Sequence, residues 1–189
     1  MNKKIALLSA AVILAVTLSA CGKTSNQETN KSQQETNHSG MKMDSMNHTS
    51  SDKLPDGMRE ADNPKFKAGS HAVIHTDHMP GMDGAAATIV KVYQTTVYAV
   101  SYVPTTGGEK VTNHKWVVQE EIKDAGNKPL NKGTEVTLMA DHMPGMNGVK
   151  ATIDSAEQTN VYIVDYTPTT GGAPVTNHKW VTESELSAK

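Results

Sequence analysis

Two thioethers and an imidazole recur in one order at two places in the chain. Asp77-His78-Met79-Pro80-Gly81-Met82 is repeated letter for letter as Asp141-His142-Met143-Pro144-Gly145-Met146, 64 positions later. Thioether sulfur and imidazole nitrogen suit Cu(I) and Cu(II), whereas Mg and Ca take oxygen ligands. Zinc prefers Cys, His or carboxylate. The Pro-Gly pair favours a tight turn, which can bring His78, Met79 and Met82 to one point, and likewise His142, Met143 and Met146. The chemistry implied is soft-metal ligation, with Cu(I) favoured, Cu(II) second and silver as a chemical mimic. The plainer alternative is that these methionines fill gaps in a core. The polar flanks, the turn composition and the repeated histidine favour ligation.

The same offset relates Thr105-Thr106-Gly107-Gly108 to Thr169-Thr170-Gly171-Gly172. It also relates Thr112-Asn113-His114-Lys115-Trp116 to Thr176-Asn177-His178-Lys179-Trp180. His114 and Trp116 stand two apart on an expected strand and so project from one face. An imidazole beside an indole can close a copper site, the ring shielding the metal or meeting its charge. The alternative is that Trp116 covers the end of a barrel and His114 bonds a loop carbonyl. His178 carries the same two readings. His75 aligns with Met139, one soft donor replacing another, and both are secondary candidates. His71 aligns with Glu135, which argues against a shared ligand there. Asp77 and Asp141 fit best as acceptors that orient the neighbouring histidine or as loop caps.

The elements that position these residues lie within a particular organisation. Lys3 and Lys4, the apolar run from Ile5 to Leu18 and Leu18-Ser19-Ala20-Cys21 together read as a lipoprotein signal peptide over 1–20, with Cys21 as the lipidated residue. The alternative of a membrane-spanning helix is disfavoured, because the run is shorter than the roughly 20 residues a span needs. Cys21 is the single cysteine, so thiolate and disulfide chemistry are excluded from the rest of the chain. Residues 21–53 have the composition of a disordered tether, with Met41, Met43, Met46 and His48 as additional metal candidates. Without Lys3 and Lys4, the 18 Lys and Arg residues become 16 against 20 Asp and Glu, a net charge of −4. That is no footprint for nucleic acid.

Two units follow, 54–124 and 125–189, each small for an independent core but sufficient for a compact β-barrel. Tyr98, Val100 and Tyr102 alternate with Val97, Ala99 and Ser101, and Tyr162, Val164 and Tyr166 repeat the pattern, the period of a strand. Ala72 to His75, Ala87 to Val92 and Val111 to Val118 read as further strands. Pro104 to Gly108 reads as a hairpin loop. The expectation is an all-β fold of two tandem SH3-like or KOW-like barrels. Each His turn would sit on the long loop after the first strand of its barrel. No G-x-S-x-G elbow, phosphate loop or H-E-x-x-H helix is present, so no enzyme is indicated.

The lipobox, the Met/His tether and the doubled His-Met-Pro-Gly-Met, Thr-Thr-Gly-Gly and Asn-His-Lys-Trp segments resemble the YdhK-like family of Gram-positive surface lipoproteins. Some members of that family bind copper and are associated with copper resistance. The resemblance implies copper sequestration at the outer face of the cell membrane; a copper exporter or oxidase is a candidate for the receiving partner. The rival reading, from another class, is a wall-binding SH3-like adhesion module that takes peptidoglycan and no metal.

Overall fold

Short apolar alternations bounded by glycine-bearing turns build an all-β architecture, in which the computed structural model describes residues 53–189. The leader 1–20, Cys21, and Met41, Met43, Met46 and His48 of the tether lie outside the described residues. In chain order the strands are β1 (Arg59–Glu60), β2 (His71–Ile74), β3 (Ala86–Tyr102), β4 (Val111–Val118), β5 (Glu135–Thr137), β6 (Lys150–Tyr166), β7 (Val175–Thr182) and β8 (Leu186–Ala188). All eight join one open sheet, with β5, β6, β3, β2 and β8 in sequence and β1, β4 and β7 paired off that path. Short 3-10 turns at Gln119–Glu121 and Glu183–Glu185 follow β4 and β7.

The stretches Ala87–Val92 and Tyr98–Tyr102, which read as two strands, are the ends of one strand of 17 residues. Between them Gln94, Thr95 and Thr96 continue the ladder instead of breaking it, because β6 satisfies their backbone groups. The two long strands pair antiparallel from Ala87↔Tyr166 to Tyr102↔Ala151, and at the centre Thr95 lies opposite Thr159. Those two threonines are counterparts in the 64-residue repeat, so the ladder runs around a pseudo-two-fold axis. The register shifts once on each side, between Ile89 and Lys91 and between Ala99 and Val100. Val90 and Asp154, also counterparts, are the extra residues. Such bulges bend and twist the ribbon.

The length of these strands decides how the cores form. A 17-residue strand spans roughly 56 Å, too long to curl within one unit of this size, so each half of β3 and of β6 packs into a different core. One core combines Ile74, Met82 and Ile89 of the first repeat with Tyr162, Val164, Val181 and Leu186 of the second. Another combines Tyr98, Val100, Val117 and Ile122 with Val136, Leu138, Met146 and Ile153. A third cluster holds Tyr93, Val97 and Trp116 against Val161, Ile163 and Trp180. The all-β fold is as expected from the two repeats, 54–124 and 125–189, and every core draws on residues of both.

The repeated turns are part of the same exchange. Thr169 N–H donates to Gly81 O (2.9 Å) and Thr105 N–H to Gly145 O (3.0 Å), so the Pro-Gly turn of each repeat docks on the Thr-Thr-Gly-Gly loop of the other. Gly81 has φ +80°, and a Cβ there would stand 2.6 Å from Thr170 Oγ1 and 2.9 Å from Pro168 Cβ. Gly145 has φ +77° and would meet Thr106 Oγ1 at 2.6 Å. Gly148, at φ +76°, has nothing within 4 Å of such an atom. Gly81→Ala and Gly145→Ala should each cost about 2–4 kcal/mol, left-handed strain plus overpacking. Gly148→Ala should cost about 1–2 kcal/mol, from the strain alone. Denaturant midpoints of the three variants check the order.

Candidate metal centre at the His turns

Each β2 or β5 edge is followed by a turn whose histidine points inward. Met82 N–H donates to Met79 O and Met146 N–H to Met143 O, both 3.1 Å, closing each Met-Pro-Gly-Met turn. Met82 and Met146 are fully buried, each within an end core, and serve as packing residues. Met79 and Met143 are half-buried at the margins of those cores. The three-donor cluster expected at each turn therefore divides: the second methionine belongs to the core, while the histidine and the first methionine remain toward the surface.

The partner of each histidine is a glutamate that sequence inspection did not single out. His78 Nε2 lies 2.9 Å from Glu185 Oε1, with both side chains about nine-tenths buried (10% and 11% exposed). The opposite carboxylate oxygen accepts from Trp116 Nε1–H at 2.9 Å and from Thr182 N–H at 2.9 Å. At the other site His142 Nε2 lies 2.7 Å from Glu121 Oε1, and Glu121 Oε2 accepts from Trp180 Nε1–H (3.2 Å) and Val118 N–H (3.1 Å). The glutamate of each repeat is thus held by the imidazole and the indole of the other. Each also reaches back to cap its own 3-10 turn, which fixes its side chain. Asp77 and Asp141, expected to orient the histidines, are exposed, and the carboxylates that face the rings are Glu185 and Glu121. The signal available in sequence was the shared offset of Glu121 and Glu185, three residues after Val118 and Thr182.

Electrostatics bind these groups tightly. Burial pushes the carboxyl of Glu185 up, but the His78 ring and the donated bonds from Thr182 and Trp116 outweigh it and bring the pKa down to about 2. Burial likewise pushes Glu121 up, and the His142 charge and hydrogen bond with the Val118 and Trp180 N–H groups hold it below the usual carboxylate range. Both remain ionised at neutral pH.

The two sites differ in where the imidazole leans. The His142 ring stands 6.2 Å from that of His114, with a 37° angle between planes, and bonds Glu121 in line. The His78 ring stands edge-on to Trp116 at 6.2 Å. Its Nε2 lies 2.9 Å from Glu185 Oε1, while its Nδ1 is buried without a hydrogen-bond partner among the described residues. His114 packs edge-on to Tyr102 at 6.0 Å, and His178 to Tyr166 at 5.7 Å. The expectation that His114 and Trp116 share a face is corrected: His114 turns toward His142, Trp116 toward Glu185 and His78. Between them the β3–β4 register shifts, Tyr98↔Val117 being followed by Val100↔His114, and the alternation is lost. Nor does Trp116 cover a barrel end; with Trp180 it lies in the cluster behind the centre of the long ladder. Of the secondary candidates, His75 Nε2 bonds Ser187 Oγ (2.7 Å) and Met139 is exposed.

Chemically, each site offers an inward imidazole backed by an ionised carboxylate, with one thioether beside it in the chain. The class this defines is a tandem-repeat β-sheet protein whose twin His–carboxylate–indole sites are each assembled from both repeats. Residues 68–119 and 132–183 both match the family model described as "Protein of unknown function (DUF1541)", and the chain belongs to that family. It is 52% identical to YdhK of Bacillus subtilis (strain 168) over 192 residues, covering 100% of this chain and 93% of that protein. A crystal structure of that DUF1541 protein has a TM-score of 0.74 and 59% identity, covering 77% of this chain and 99% of the other. The solution NMR structure of the YdhK C-terminal domain has a TM-score of 0.63 and 62% identity, over 66% of this chain and 94% of that one.

The carboxylates make stability depend on acid. Glu185 titrates near 2 when folded and near the ordinary value of about 4.3 when unfolded. The stability it contributes is therefore complete above the unfolded pKa and is lost as pH falls from there toward 2. Glu185→Gln should cost about 1–3 kcal/mol at neutral pH and flatten this acid limb. Urea unfolding across pH 2–6 checks both effects.

Proposed function

We propose that this is a membrane-anchored, extracytoplasmic protein that holds copper as cargo and catalyses nothing. The observation that carries the reading is His78: a ring nine-tenths buried, facing an ionised carboxylate through Nε2, with Nδ1 buried and without a hydrogen-bond partner among the described residues. A buried nitrogen left unmatched costs about 1–3 kcal/mol, and a metal ion would supply the missing partner. A carboxylate behind an imidazole orients the ring and raises its basicity, as in many metal sites. Met79 and Met143, next in sequence to the two histidines, offer sulfur, and sulfur with imidazole selects copper. Cu(I) is favoured over Cu(II).

The ligands in this reading are His78 with Met79 and His142 with Met143. His114 is a further imidazole for the second site, and His178 its counterpart at the first. Met41, Met43, Met46 and His48 of the tether add donors, Cys21 carries the lipid anchor, and an exporter or oxidase receives the metal.

Anaerobic titration of the leaderless chain with Cu(I) against a competing chelator tests the site. Trp116 and Trp180 serve as internal fluorophores. Met79→Leu/Met143→Leu preserves volume at a cost below about 1.5 kcal/mol per site but offers no lone pair, so affinity should fall at least tenfold while the fold persists. Wild-type affinity in this variant would remove the turns from the site, and retention of the copper-free chain on purified sacculi would favour the wall-binding reading. Anchoring has its own check: Cys21→Ala should abolish incorporation of labelled lipid and release the protein from membranes.

A further inference from the structure

We infer that the face each repeat presents is self-complementary, so that its partner is any second copy of the repeat, in the same chain or in another molecule. This does not depend on what the His turns hold. The β3–β6 ladder pairs Thr95 with its own counterpart Thr159, so a copy of the first repeat can take the place of the second in the same register. The flanking pairs survive the exchange. Val92 lies opposite Tyr162 and Tyr93 opposite Val161, the counterparts of Tyr98 and Val97. Two first repeats would therefore form the same Val–Tyr and Tyr–Val pairs on both sides of the axis.

The contacts away from the ladder obey the same rule. His78 meets Glu185, whose counterpart is Glu121. Gly81 meets Pro168 and Thr170, whose counterparts are Pro104 and Thr106, the residues that Gly145 already meets. Ile74 pairs with Leu186, and the matching bridge at the other core joins Ile122 to Leu138. The partners of His78, Gly81 and Ile74 are thus present in the first repeat itself, while the peripheral bonds of His75 to Ser187 and Ser101 to Asp154 are lost on exchange, Lys123 and Val90 standing at the counterpart positions. Such a face builds an isologous two-fold assembly, in which residue i meets j and j meets i. The second repeat is the weaker self-partner, because Glu157 stands where the first has Tyr93, and Tyr93 packs edge-on to Trp180 in the central cluster.

The test begins with the full leaderless chain carrying a protease site between Gly126 and Asn127, both exposed. After cleavage the two fragments should co-elute with the mass of one intact chain by light scattering. Separation into two folded monomers would overturn the proposal. The fragments are then unfolded in urea, separated and refolded alone. The first should return as a folded dimer of twice its mass, and with Thr95→Cys it should form a disulfide across the axis under mild oxidation. In the uncut chain Thr95→Cys faces Thr159 and should form none, and Glu109→Cys in the exposed loop controls for random oxidation. A first fragment that refolds as a monomer would overturn the inference. So would one that folds only when the second is added, since the face would then recognise only an unlike repeat.

Discussion

One ladder sets the conditions for everything else: two strands of 17 residues, antiparallel along nearly their whole length, meeting at Thr95 and Thr159. Once that ribbon forms, neither repeat can close on itself. The apolar residues at the two ends of β3 lie too far apart to share a core, and each end finds its complement in the opposite end of β6. The cores, the docking of the Pro-Gly turns and the His–Glu pairs are consequences of this one pairing. The polar residues at its middle are tolerated because β6 satisfies their backbone, not because their side chains prefer burial.

The sites inherit their character from the same exchange. A glutamate buried alone would be costly. Here Glu121 and Glu185 each gather an imidazole, an indole N–H and a backbone N–H, and the donors outweigh the burial. The imidazole and indole come from the opposite repeat, so the carboxylate links the two repeats as well as orienting the ring. Removing the imidazole or the indole would leave a buried charge short of a partner, which is costly.

Much of this was legible in the residues. The 64-residue offset, the strand alternation, the glycine-bearing turns and the histidines of the twin sites all stand in the sequence. What stayed hidden was pairing between repeats, because a period of two is the same whether a strand pairs within its repeat or outside it. Ala87 to Val92 and Val97 to Tyr102 read as two strands for the same reason. The fate of Met82 and Met146 was also hidden: a thioether in a turn suits a metal or a core equally, and only the depth of the turn decides. Glu121 and Glu185 escaped notice as members of short acidic runs, although their matched spacing from Val118 and Thr182 was visible.

The small strand β8 alters how the whole chain can be viewed. It joins the end of the second repeat to β2 of the first through Ile74↔Leu186 and its neighbours, just as Ile122 bridges Leu138 at the junction where the backbone is continuous. The molecule has two equivalent seams, one covalently closed and one held by hydrogen bonds. The order in which the repeats are read is therefore a matter of where the backbone is cut. A circular permutant opened in the 125–129 loop and joined across the present seam would trace the same contacts with its repeats renamed.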